Sequence, residues 1–185
     1  MKKILKMKNN ILLFIISLTL FTSCKDDKPN EVTTESVRNQ VKVSLSAIVK
    51  ADDDFQLFFK EEDVADTPYE ESNSVWAKIK GSEQPQNIEF VFPDNILPNY
   101  FRLDLGVNNK QQQVTITSIK VEYIDKKIEM NSSQIIEQYF IPNNCIDIKD
   151  KNIGLFNLIK GDNNSHDPFI ISGENLKYEL QKMYR

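Results

Sequence analysis

Trp76 is the only tryptophan of the chain and stands two residues before Lys78. On an extended strand, residues two apart project from the same face, so indole and ammonium are presented together. An indole facing solvent stacks on the apolar face of a pyranose ring while polar neighbours bond its hydroxyls. The competing expectation is that Trp76 packs under a loop or against a second sheet, because tryptophan is well buried on average. Arg102 and Asp104 share the same two-residue spacing, just after Tyr100. They make either a polar pair for a sugar hydroxyl or a surface ion pair worth ~0–1 kcal/mol. Trp76, Lys78, Tyr100, Arg102 and Asp104 are therefore the candidate glycan-binding residues. Asp52, Asp53 and Asp54 offer the hard oxygen ligands that calcium takes. They lack the alternating spacing and glycine of a calcium loop, so a solvated acidic turn is expected and no cofactor is predicted. His166 is the sole histidine and lies in the polar segment 161–167, which reads as a surface loop. The chain has no Gly-x-Ser-x-Gly elbow, no His-Glu-x-x-His pair and no phosphate-binding glycine loop, so no catalytic set is visible.

These side chains need strands to aim them, and the dominant period downstream of residue 40 is two. Val41, Val43, Leu45, Ala47 and Val49 alternate with Lys42, Ser44, Ser46 and Ile48. The same alternation runs through Phe55, Leu57 and Phe59, through Val75, Ala77 and Ile79, through Ile88, Phe90 and Phe92, and through Phe101, Leu103 and Leu105. Each run fits a strand with one face on a core and one towards solvent. In the longer run 114–124, Val114 and Ile116 share one phase and Ile119, Val121 and Tyr123 the other, which predicts a bulge at Thr117-Ser118. Paired asparagines at 108–109, 143–144 and 163–164 suit left-handed turn positions. Residues 132–140 read as a short helix capped by Ser132 or Ser133. In 175–184, Leu176, Leu180 and Met183 form a helical stripe, although Leu176, Tyr178 and Leu180 also fit a strand. Many short strands separated by polar turns predict an all-β fold, an antiparallel jelly-roll-like β-sandwich with one or two short helices.

The N-terminus has a different character. Lys2, Lys3, Lys6 and Lys8 precede an apolar run at 11–21, and Thr22 and Ser23 then lead to Cys24. About 11 residues are too few for a bilayer core that takes roughly 20, so residues 1–23 read as a signal peptide and not as a spanning helix. Small residues before a cysteine at the end of such a run resemble the lipobox of bacterial lipoproteins. The resemblance implies that Cys24 carries the lipid, and several acyl chains anchor stably where one does not. Lys25-Asp26-Asp27 further resembles the signal that sends lipoproteins of the Bacteroidetes group to the outer face of the outer membrane. The expected organisation is a signal peptide at 1–23, a lipidated cysteine and polar tether at 24–40, and one β-sandwich domain at 41–185. Removing residues 1–23 takes four lysines and no acid from 23 basic and 27 acidic residues, which leaves 19 against 27 and a formal net charge of −8. Such a chain lacks the cationic footprint of a nucleic-acid binder. With Cys24 lipidated, Cys145 is left without a partner in the chain, so it is expected to pack as a small apolar residue.

A second resemblance lies in the domain itself. Phe90-Val91-Phe92-Pro93, then Tyr100-Phe101-Arg102-Leu103-Asp104-Leu105-Gly106, then the run 114–121 with Val114, Ile116, Ile119 and Val121 are similar to the strand pattern of bacterial jelly-roll modules related to carbohydrate-binding modules. Asp167-Pro168-Phe169 resembles their closing segment. The resemblance implies a surface module whose partner is a polysaccharide or oligosaccharide, held to the membrane through its lipid. Two further readings stand beside it. One is a non-catalytic structural or protein-interaction subunit of an envelope assembly, with envelope proteins as partners. The other, ranked third, is a glycoside hydrolase or lyase, which needs two carboxylates to meet in space.

Overall fold

Val41, Val43, Leu45, Ala47 and Val49 are all buried, and between them they make one face of strand β1 (Val41–Val49). The computed structural model describes residues 39–185. The signal peptide, Cys24, Lys25, Asp26, Asp27 and the tether as far as residue 38 lie outside the described residues. Ten further strands follow: β2 (Asp53–Lys60), β3 (Ser74–Ile79), β4 (Gln86–Val91), β5 (Tyr100–Asp104), β6 (Gln113–Tyr123), β7 (Lys126–Asn131), β8 (Phe140–Pro142), β9 (Ile146–Asp150), β10 (Leu155–Leu158) and β11 (Phe169–Ser172). They pair antiparallel into two sheets. The first has the order β4-β1-β6-β10-β9, with β7 also on β6, and the second has the order β3-β2-β5-β11-β8. The chain passes from one sheet to the other seven times, as in a jelly-roll-like sandwich. Phe55, Phe90, Phe92, Phe101 and Phe156 fill the space between the sheets. Phe92 lies edge-on to Phe59 at 5.1 Å and beside Phe101 at 5.9 Å, spacings at which aromatic pairs add to area burial.

The predicted bulge is present. Ser46 faces Ser118 and Ala47 faces Ile116, so Thr117 is the extra residue, and its hydroxyl donates to the Ser46 carbonyl. The bend lets one strand serve two neighbours: β10 takes its first residues and β7 its last six. Of the predicted 132–140, Phe140 already begins β8 and residues 132–139 are helical, in a short turn α1 (Ser132–Gln134) followed by a π-turn (Ile135–Tyr139). Its cap is Asn131 and not Ser132 or Ser133. Asn131 Oδ1 accepts from Gln134 N, and Gln134 Oε1 accepts from Asn131 N, a reciprocal capping box. The C-terminal segment is helix α2 (Glu174–Met183), decided by burial of Leu176, Leu180 and Met183. Of the asparagine pairs, only Asn164 adopts a positive φ. Asn95 supplies another such position, and so does Ile124 in the tight β6–β7 turn.

Residues 61–73 join β2 to β3 without strand or helix and double back over the outer face of the second sheet. Residues 61–68 are exposed along their whole length. Tyr69 is the side chain that reaches inward, edge-on to Phe58 at 6.4 Å. This strap decides which part of the outer face meets solvent.

Candidate functional site

The register of the second sheet places the candidate residues in cross-strand rows. Trp76 on β3 faces Gln56 on β2, Gln56 faces Asp104 on β5, and Asp104 faces Phe169 on β11. The next row runs Ser74, Phe58, Arg102, Ile171 and Ile141. Strands about 4.8 Å apart put Trp76 and Asp104 about 10 Å from each other on one face. Trp76 is 49% exposed on the edge strand, with Lys78 and Lys80 exposed on the same side. Val75, Ala77 and Ile79 point into the sandwich. The indole is thus open to solvent and not packed under a loop.

Arg102 is held on all sides. Its Nε and Nη2 donate to the two carboxylate oxygens of Asp104 at 2.7 and 2.9 Å, and Nη2 also donates to Asp167 at 3.1 Å. Its guanidinium lies 3.9 Å from the centre of the Phe169 ring and 5.4 Å from that of Phe58. A planar fork clamped by rings and carboxylates keeps its direction, which is what recognition of a fixed hydroxyl pattern needs. Burial pushes the Asp104 carboxyl up to about 6, against the opposing hydrogen bonds and charge of Arg102, and Asp167 and Glu71 push the same way as burial. Gln56 Nε2 donates to Glu71 at 2.7 Å and to Ser74 at 2.9 Å, which ties the end of the strap beside Trp76.

Tyr100 occupies the same face but not the open part of it. It is 1% exposed, and its hydroxyl donates to Glu174 and accepts from Lys177 of α2. Side chains of α2 close over its hydroxyl and Lys60 lies over its ring, so the candidate residues left at least partly exposed are Trp76, Lys78, Arg102 and Asp104. Half-buried Phe169 of β11 lies among them, and Phe58 and Gln56 of β2 lie on the same face but are buried. Phe58 carried a legible signal, being an apolar residue out of phase with Phe55, Leu57 and Phe59. Phe169 carried none beyond its place in the closing segment.

The three consecutive aspartates diverge. Asp52 accepts from Lys80 at 2.6 Å and from the backbone of Gly81. Asp53 Oδ1 accepts from the backbone N–H groups of Asp54, Val107 and Asn108, and Asp54 points to the outer face. Among the described residues no group of three or more His, Cys, Asp or Glu side chains is arranged to hold a metal ion. His166 is half-buried in the β10–β11 connection, with an Nε2 that has no partner among the described residues. Cys145 is buried, as a small apolar residue would be.

The fold and this face define a class: an all-β, two-sheet antiparallel sandwich whose second sheet carries an open aromatic and polar surface. No family model matches the chain, and comparisons with curated proteins and with solved structures likewise give no match.

Proposed function

We propose that this chain is a non-catalytic lipoprotein of the bacterial cell envelope, anchored through Cys24 and directed outward by Lys25, Asp26 and Asp27. Its sandwich binds a glycan on the outer face of the second sheet. The observation that carries the reading is the open indole of Trp76, set on a rigid strand in one row with Gln56 and Asp104 and beside the clamped Arg102. Trp76 supplies the stacking platform, and Lys78, Arg102 and Asp104 supply hydrogen bonds to ring hydroxyls. A strand-borne site is pre-organised, so little ordering entropy is lost on binding. Titration of the purified domain with a panel of oligosaccharides, followed by Trp76 emission, tests the reading. A saturable shift with at least one saccharide supports it, and silence across a broad glycan array overturns it.

A second reading rests on Ile141, which is 67% exposed on the outermost strand β8 of the same sheet. An edge unpaired among the described residues and carrying an apolar side chain suits addition of a partner's strand. On that reading the chain is a protein-interaction subunit of an envelope assembly. Co-purification with envelope proteins that is lost in Ile141→Lys distinguishes it from glycan binding.

A further inference from the structure

Residues 61–73 cover the outer face of the second sheet around Gln56, Phe58 and Lys60, and the cover has an unusual composition. It contains Glu61, Glu62, Asp63, Asp66, Glu70 and Glu71 and no basic residue. What lies beneath is cationic and aromatic. Lys60 is only 3% exposed, and its ammonium donates to the strap carbonyls of Ala65 at 2.6 Å and Thr67 at 2.8 Å. It lies 4.4 Å from the centre of the Tyr69 ring and 5.3 Å from that of Tyr100. Among the described residues its partners are these carbonyls and no carboxylate forms an ion pair with it, although buried cations are ordinarily paired. Burial accordingly holds its ammonium below the usual lysine range, with Glu62 and Asp66 opposing from the strap. At the far end Asp63 accepts from Lys177 at 2.9 Å. The Tyr69 hydroxyl is buried without a partner.

We propose that the acidic strap stands in for an anionic ligand: residues 61–73 cover a site in which Lys60, Lys177 and the Phe58 and Tyr100 rings take an acidic oligosaccharide whose other end stacks on Trp76. The inference rests on the glycan reading and adds the class of glycan. The strap is held by polar contacts and by a single inward ring, so it separates from the sheet more readily than any strand does. A ligand carboxylate replaces the carbonyls of Ala65 and Thr67 with a charge-assisted bond. It also gives Lys60 the counter-charge that it lacks. Lys60 and Trp76 lie four residues apart along the sheet and one strand across, about 14 Å. That span takes an oligosaccharide and not a single sugar.

The test compares tetragalacturonate with its methyl ester, which has the same skeleton without the charge. Binding is measured by calorimetry to the wild type, to a strap-neutralised variant (E61Q/E62Q/D63N/D66N/E70Q/E71Q), to the milder D63N, and to K60M in the strap-neutralised background. Neutralisation is expected to tighten tetragalacturonate binding about tenfold and to leave the ester unchanged, because only like-charge repulsion by the strap is removed. D63N gives a smaller gain of the same sign, and K60M abolishes the preference for charge. Hydrogen exchange in 61–73 rises when tetragalacturonate binds. Equal gains for both probes, no gain for either, or a charge preference that survives K60M overturns the inference. Tighter binding of a single-stranded oligonucleotide than of tetragalacturonate does so too. Tetragalacturonate binding that depends on Trp76 but shows no effect of strap charge overturns the inference alone. Failure of every variant to bind either probe, together with a silent glycan array, removes the glycan reading as well.

Discussion

The two outer faces of the sandwich are built from the same alternation and end up chemically opposite. On the first sheet, Lys42 sits between Glu89 at 3.7 Å and Glu122 at 3.2 Å, and Lys120 pairs with Glu122, Lys127 with Glu129 and Lys149 with Asp147. Lys42 and its two carboxylate partners are roughly a third to a half exposed, so water screens them and each contact is worth little. On the second sheet, Arg102 is likewise shared by two carboxylates, but it is pressed onto Phe169 and bonded to Asp104 through two nitrogens. The first face is a solvated ladder of ion pairs. The second combines aromatic surface, an oriented guanidinium and a partly desolvated carboxyl, the ingredients of a recognition site. Pattern alone does not separate the two faces; the depth to which their outward residues are covered does.

Substitutions on the two faces should therefore behave differently. The largest contrast is between Phe58 and Val91, both outward-pointing. Phe58→Ala removes a ring buried beneath the strap and is expected to cost about 3 kcal/mol in urea unfolding, whereas Val91→Ala costs less than about 0.5 kcal/mol. Equal costs would mean that the strap does not seal the ring it covers. Next come the two shared cations. Arg102→Ala leaves Asp104 partly buried without a partner and is expected to cost about 2 kcal/mol, against less than about 0.5 kcal/mol for Lys42→Ala. Arg102→Lys should recover little, because an ammonium offers neither the fork nor the stack. A smaller effect is read in pH. The Asp104 carboxyl lies at about 6 in the folded chain and at its ordinary 3.8 when unfolded, so between these values the folded state holds the extra proton. Stability therefore falls as pH rises from about 4 to 6, by on the order of 1 kcal/mol after allowance for screening, and Asp104→Asn removes that slope. A wild type and an Asp104→Asn variant with parallel pH–stability curves would refute the assignment. The smallest effect is on Trp76 itself: Trp76→Ala should change stability by no more than about 0.5 kcal/mol, because the ring is largely in water.

The first six strands were legible because their apolar residues keep strict alternation over five residues or more, and even the bulge at Thr117 showed as a phase slip. The later strands were not. β7 offers only Ile128 and Met130, β8 is three residues long, and β10 carries Asn157 between Phe156 and Leu158, too little pattern to separate strand from loop. Trp76, Lys78, Arg102 and Asp104 fell on one outward face as their spacing required. That Tyr100 is sealed by α2 could not be read locally, since its partners Glu174 and Lys177 lie more than seventy residues away. The strap reads in sequence as a polar loop. Its position over the sheet depends on Tyr69, Lys60 and Asp63 meeting partners that no short-range pattern names.

The claim that the second sheet's outer face is the binding surface is tested most directly by glycan affinity in paired variants, one from each face. For a saccharide bound by the wild type, calorimetry on Trp76→Ala should show at least a tenfold loss, about 1.4 kcal/mol. Trp76→Phe should keep part of the affinity, because a smaller ring still stacks. Lys120→Ala on the opposite face should bind as the wild type does. Undiminished binding by Trp76→Ala, or an equal loss in Lys120→Ala, would contradict the account.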